Sequence, residues 1–141
     1  MRECILEKID FKTILEKAKT IAIVGLSDKD SRTSNRIGKY LQSKGKYRII
    51  PVNPNVDEIH GEKSYPSLKD IPDDITIDIV NVFRRSEYLE EIAKEAVERR
   101  CGVFWAQLGI YNENAEKILN EADIPCIMNR CIFVEHQNLF Y

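Results

Sequence analysis

Histidine is scarce in this chain: His60 and His136 are the only two in 141 residues, and the four cysteines, Cys4, Cys101, Cys126 and Cys131, form no Cys-x-x-Cys pair. Neither a zinc site nor a disulfide framework is readable from that set. Charge of one sign is lacking as well. Against 23 Asp and Glu stand 21 Lys and Arg, a formal net charge of -2, so no overall positive field exists to follow a nucleic-acid backbone. No apolar run approaches the ~20 residues that span a bilayer. Arg2, Glu3, Glu7 and Lys8 break up the stretch where a secretion signal needs an unbroken apolar core. A cytoplasmic protein with reduced thiols, and with neither nucleic acid nor membrane as a partner, is expected.

What is present suits a packed domain. Hydrophobic residues make up 43% and charged residues 31%, unlike the depleted composition of disordered chains. The length fits one domain over residues 1–141, with a leading helix over 1–19 and a core over 20–141. In the leading segment Ile5, Leu6, Ile9, Ile14, Leu15 and Ala18 recur at helical spacing, with Asp10 as an N-cap for residues 11–19. Ile5, Leu6 and Ile9 either cover the sheet or pair with another subunit, as in a homodimer. The apolar run 21–24, ending at Gly25, reads as a strand buried on both faces.

Ser34 is placed to cap a helix carrying Ile37, Tyr40 and Leu41, and Gly45 tolerates the left-handed stop after it. A second strand follows over 47–52, ended by Asn53-Pro54. A polar connection over 55–66, which leaves His60 in solvent, leads to a helical turn at 67–71. The run 75–83 predicts a third strand, and Ser86 is placed to cap a helix over 87–100 with Leu89, Ile92, Ala93, Ala96 and Val97 inside. A fourth strand over 103–106, a helix opened by Asn112 or Asn114, a fifth strand over 125–128 and a closing helix over 132–141 complete the pattern. Strand and helix alternate throughout. The expected fold class is therefore α/β: a Rossmann-like, doubly wound parallel sheet of about five strands with helices on both faces.

Such sheets bind ligands beyond the carboxyl ends of their strands, where the strand order reverses. Those ends carry Gly25-Leu26-Ser27, Val52-Asn53-Pro54, Phe83-Arg84, Gln107-Leu108-Gly109 and Asn129-Arg130-Cys131. Glycine is thin at the first of them. After Gly25 the next is Gly38, inside the helix, so the G-x-G-x-x-G fingerprint of a dinucleotide site is absent. In its place are hydroxyls at Ser27, Ser31, Thr33 and Ser34, cations at Lys29, Arg32 and Arg36, and the start of a helix, all suited to phosphate oxygens. Asn53 also stands where an NAD site usually carries a carboxylate for the ribose, which leaves room for a ribose that bears phosphate.

The stretches Val24-Gly25-Leu26-Ser27-Asp28, Ser34-Asn35-Arg36-Ile37-Gly38-Lys39-Tyr40-Leu41, Val52-Asn53-Pro54, Tyr65-Pro66-Ser67-Leu68, Val82-Phe83-Arg84-Arg85, Trp105-Ala106-Gln107-Leu108-Gly109-Ile110 and Arg130-Cys131-Ile132 closely resemble the small stand-alone CoA-binding proteins. These are single-domain relatives of the CoA-binding domain of succinyl-CoA synthetase. The resemblance covers residues 20–136.

It implies coenzyme A or an acyl-CoA as ligand. Gly25, Leu26, Ser27, Arg32, Ser34, Asn35 and Arg36 would surround the phosphates, Val52, Asn53, Pro54, Phe83 and Arg84 the adenosine part, and Gln107, Leu108 and Gly109 the pantetheine arm. Two departures are visible. Asp30 and Thr33 replace common prolines, implying a less rigid loop, and Asn129 replaces a common aspartate.

Cys131, between Arg130 and a helix start, is a candidate redox thiol toward CoA, set against a packed and inert cysteine. His136 serves as acid or base only if it folds back to the strand ends; otherwise it is structural. No P-loop or second domain accompanies this site, so a non-catalytic binding module is expected and a synthetase is not. An NAD(P)-dependent oxidoreductase is the competing reading, opposed by the missing glycines and by Asn53.

Overall fold

A computed structural model of the protein describes residues 10–140. Asp10 caps α1 (Phe11–Lys17), the first helix among the described residues, its carboxylate accepting from the Lys12 and Thr13 N–H groups. Ile5, Leu6, Ile9 and Cys4 lie outside the described residues, so the question of what the leading apolar face covers lies there too. In order follow β1 (Thr20–Val24), α2 (Thr33–Ser43), β2 (Arg48–Val52), β3 (Glu58–Ile59), β4 (Glu62–Lys63), β5 (Ile79–Val82), α3 (Leu89–Glu98), β6 (Val103–Ala106), α4 (Glu113–Glu121), β7 (Cys126–Ile127) and α5 (Ile132–Phe140). Five strands form one parallel sheet in the order β2-β1-β5-β6-β7. Helices cover it, as the α/β reading expects.

The sheet is apolar on both faces because its residues alternate between two cores. Ala22, Val24, Val80, Val82 and Phe104 face α3 and α4, while Ile21, Ile23, Ile79, Trp105 and Ile127 face α1, α2 and α5. A parallel sheet covered on both sides needs this continuous apolar reading rather than an in-out alternation. Pro51 occupies β2, an edge strand, where its missing donor breaks no ladder. The chain runs from β1 outward to β2 and then returns past β1 to β5. The strand order therefore reverses between β1 and β5.

Several predicted boundaries move, each for a local reason. The strand predicted over 75–83 shortens to Ile79–Val82: the Ile75 carbonyl instead joins those of Leu68, Ile71 and Pro72 in accepting from the Arg99 guanidinium, at 2.6–3.3 Å. The polar connection holds an unpredicted ribbon, β3 with β4, turned by His60 (φ 54) and Gly61 (φ 82). Two-residue strands show no period to read, and only the paired positive φ values mark the hairpin. His60 is half-buried rather than solvated, its Nε2 within 3.1 Å of the Asn35 carbonyl.

Neither serine expected as a cap has that role. Ser34 lies inside α2, whose N-cap Arg32 makes no side-chain capping bond, and Ser86 opens a 3-10 turn, its hydroxyl accepting from the Tyr111 N–H. Of the two asparagines, Asn112 is the cap of α4, accepting from the Ala115 N–H at 2.9 Å.

His136 packs far from the strand ends, its Nδ1 2.9 Å from the Tyr40 hydroxyl and its ring against Tyr47 and Phe140. Burial first, then Lys44 and Lys46, hold its pKa below the ordinary 6.5. The folded state thus keeps His136 neutral where the unfolded chain takes a proton, so this contribution is complete above about pH 6.5 and is lost as pH falls below it. Urea midpoints measured from pH 7.5 to 5 should fall for the wild type, and His136→Gln should fall less steeply across that window.

Arg99 gives a second expectation. Arg99→Met strands several partly buried carbonyls and should cost about 3 kcal/mol in urea unfolding, since bonds to a charged donor contribute ~1.5–3 kcal/mol each and are not additive.

Candidate ligand cradle at the switch point

Gly25, where β1 ends, has φ +90, a conformation that favours glycine. A Cβ there would lie 3.1 Å from the Phe83 carbonyl oxygen and 3.1 Å from the Arg84 Cδ. The two strand ends on either side of the reversal thus meet at the one residue with no side chain. Beyond it Leu26 turns back into the core beneath Gly38, where a Cβ would stand 2.9 Å from a Leu26 methyl.

Buried Ser34 and Asn35 and half-buried Asn53 then fix the loop. Ser34 Oγ accepts from the Ser27 N–H at 3.0 Å, Asn35 Nδ2 donates to the Ser27 carbonyl at 2.8 Å, and Asn53 Nδ2 donates to the Leu26 carbonyl at 2.9 Å. Arg36 Nη1 donates to the Ser31 carbonyl at 3.2 Å. The loop expected to be loose for want of proline is clamped at residues 26, 27 and 31, while Asp28, Lys29 and Asp30 stay exposed. Asn53 is held in turn: its Oδ1 accepts from the Asn55 N–H, and its own carbonyl accepts from Ser64 Oγ.

Above this loop opens a cavity of about 490 Å³ lined by Gly25, Ser27, Ser31, Arg32, Thr33, Ser34, Asn53 and Phe83. First-turn N–H groups of a helix have no intrahelical acceptor, and α2 has no side-chain cap to satisfy them. With the helix dipole they make an anion site. Among the lining residues the only full charge is Arg32.

The remaining predicted residues are distributed around it. Val52, Pro54 and Arg84 line a smaller cavity of about 70 Å³ with Val24, Ser67 and Glu95, and Arg84 stacks 4.4 Å over the Tyr88 ring. Leu26 and Asn35 are buried supports. Arg36 lies outside that cavity and lines a third one, with Cys131. Gln107 is buried, and its Oε1 accepts from Asn81 Nδ2 at 3.1 Å and from the Ile132 N–H at 2.9 Å, which ties β5 and β6 to the start of α5. Leu108 is exposed, and Gly109 (φ +84) donates its N–H to Asn129 Oδ1.

Asn81 escaped the sequence reading because it sits inside an otherwise apolar strand. Burial pushes the Cys101 and Cys126 thiols up to about 12. Cys131, at the mouth of α5, is only half-buried.

Comparisons with known proteins agree with this geometry. A family model described as CoA binding domain matches residues 19–137. The uncharacterized protein YneT of Bacillus subtilis is 51% identical over 129 residues, covering 92% of this chain and 93% of that protein. An ADP-forming acetate–CoA ligase of Methanocaldococcus jannaschii is 37% identical over 83 residues, 57% of this chain but 12% of the ligase. Among solved structures, a hypothetical protein from Pyrococcus horikoshii superposes with a TM-score of 0.86 at 37% identity, covering 100% of this chain and 93% of that one. A Thermus thermophilus protein gives a TM-score of 0.88 at 36% identity, covering 94% of this chain and 100% of that one. The reversal of strand order, the uncapped helix above it and the family match over residues 19–137 together make this chain a member of the CoA binding domain family.

Proposed function

We propose that the protein binds coenzyme A, or an acyl thioester of it, through its phospho-ADP part, as a non-catalytic module of the cytoplasm. The observation that carries this reading is the cavity of about 490 Å³ at the β1–β5 reversal, where an uncapped helix start, Arg32 and the hydroxyls of Ser27, Ser31, Thr33 and Ser34 converge. Those groups bind phosphate oxygens and leave its bonds intact. Two of the hydroxyls already accept bonds within the loop, Ser34 from Ser27 N–H and Ser27 from Lys29 N–H, and none of the lining residues is a histidine, cysteine or carboxylate.

Asn53 argues for coenzyme A over NAD on chemical grounds. Its amide is engaged by the loop, and it brings no negative charge toward a ribose phosphate. The M. jannaschii relative is named for joining acetate to CoA, which supports CoA as the shared ligand; the match spans 12% of that ligase, so its reaction is not carried over. The 3′-phosphate of the ligand would meet Arg84, which lines the cavity beside Val52 and Pro54, where the Glu95 carboxylate on the same wall accepts from the Leu68 N–H, and the pyrophosphate would meet Arg32 on the α2 side.

CoA should therefore bind more tightly than dephospho-CoA, by between about fivefold and a hundredfold, the range from one exposed to one well-packed arginine–phosphate contact. Calorimetric titrations in rising salt check it, and the preference should shrink as screening increases. Arg84→Ala should remove most of that preference, whereas Arg32→Ala should weaken both ligands alike. Equal affinity for the two ligands in the unmutated protein, or tighter binding of NAD, would overturn the reading.

Gly25→Ala tests the cradle itself. A side chain at φ +90, pressed on the Phe83 carbonyl, should cost about 1–3 kcal/mol of stability in urea. It should also lower CoA affinity, because the peptide that starts the loop is displaced. Unchanged affinity would show that the loop's position does not matter to the ligand.

A further inference from the structure

The phosphate cradle has a neighbour of opposite character. A cavity of about 340 Å³ lies between the start of α2 and the start of α5, walled by Thr33, Arg36, Ile37, Cys131 and Phe133. Most of that wall is apolar. Ile37 belongs to the core beneath α2, and Phe133 packs edge-on against Tyr40 with ring centroids 4.7 Å apart. None of its lining residues is acidic, and the Arg36 guanidinium is bonded to the Ser31 carbonyl. Thr33 lines this cavity and the phosphate cavity alike, so one residue separates the two.

Strand order gives the direction. Asn53 follows β2 at one edge of the sheet and Cys131 follows β7 at the other, with the start of α2 between them at the crevice. A ligand whose adenosine end lies toward Asn53 and whose phosphates lie on α2 extends its far end toward Cys131. A free thiol would leave the apolar wall uncovered. A short hydrocarbon chain would cover it, and each methylene buried there strengthens binding by up to about fourfold. The volume lies at the low end of the ~300–1,000 Å³ typical of ligand pockets, which suits a short chain and not a fatty one.

We propose that the cavity between α2 and α5 receives the acyl group of a short-chain acyl thioester of coenzyme A. This inference rests on the coenzyme A reading above.

Calorimetry with CoA and its acetyl, propionyl, butyryl, octanoyl and palmitoyl thioesters tests it. Affinity should rise by about two- to fourfold per methylene through the short chains and stop rising at the longer ones. Phe133→Ala widens the cavity and should move the best chain to a longer one, with free CoA bound within about twofold of the wild type.

Since that substitution can also disturb α5, a second measurement uses the unmodified chain. Alkylation of Cys131 by iodoacetamide, followed by peptide mass spectrometry to separate it from Cys4, should be slowed by butyryl-CoA. Adenosine 3′,5′-bisphosphate, which has no arm, should leave it unchanged. A flat chain-length profile with normal CoA binding overturns this inference alone, as does equal protection of Cys131 by both ligands. Absence of CoA binding overturns it together with the reading beneath it.

Discussion

The candidate ligand face of this protein depends on one close approach: β1 and β5 converge until a Cβ on Gly25 would stand only 3.1 Å from the Phe83 carbonyl oxygen. Parallel pairing runs to the very end of the two strands, the Phe83 N–H donating to the Val24 carbonyl at 2.8 Å. The chain must then leave the sheet abruptly, which the positive φ of Gly25 permits, and return into the core at Leu26. Where α2 begins follows from that path. Moving either strand end by the width of a methyl group would move the helix start and every donor it presents.

Polar groups around the cradle fall into two sets with different physical roles. Ser34, Asn35 and the Asn53 amide face the loop and satisfy its peptide groups; burial makes Ser34 and Asn35 costly to strand, and together the three define shape. Arg32, Thr33 and Ser31 are exposed and remain free to meet a ligand. This division explains how the site forms without the dinucleotide fingerprint. Gly25 supplies the tight turn, Gly38 supplies the close packing of helix on strand, and the work of the missing middle glycine passes to side-chain clamps that hold the backbone open toward the cavity.

Rigidity elsewhere supports the same end. Arg99 ties the return from β2 to the C-terminus of α3, and Asp78 Oδ2 accepts from the Lys19 and Thr20 N–H groups, fixing where β1 enters the sheet. Gln107 joins β5, β6 and α5 through a single oxygen. These braces lie at both ends of the strands whose carboxyl tips form the site, so the register of β1 against β5 is held from below as well as above. Asn81, between Ile23 and Trp105 in the sheet, contributes its amide to that bracing while its Oδ1 has no partner among the described residues.

The sequence by itself determined the alternation of strand and helix, because continuous apolar runs and helical stripes are local patterns. It also determined which five loops stand at the carboxyl ends of the strands, because the ends of those runs are marked by Gly25, Asn53, Phe83, Gln107 and Asn129. Residue type was enough to place hydroxyls and cations of the kind that suit phosphate after β1, and to exclude a carboxylate at Asn53 after β2. Only the tertiary structure decided which of those groups are available. Ser34 and Gln107 read as ligand contacts, and the structure shows that both also hold other parts of the chain, their partners Ser27, Asn81 and Ile132 lying 7, 26 and 25 residues away. Arg36, grouped with Arg32 by proximity in sequence, stands four residues on, one turn along α2, and lines the cavity beside Cys131 instead. The strand order that brings the ends of β1 and β5 together, and the apolar space left between α2 and α5, arise from packing across the whole sheet, and no local pattern encodes them.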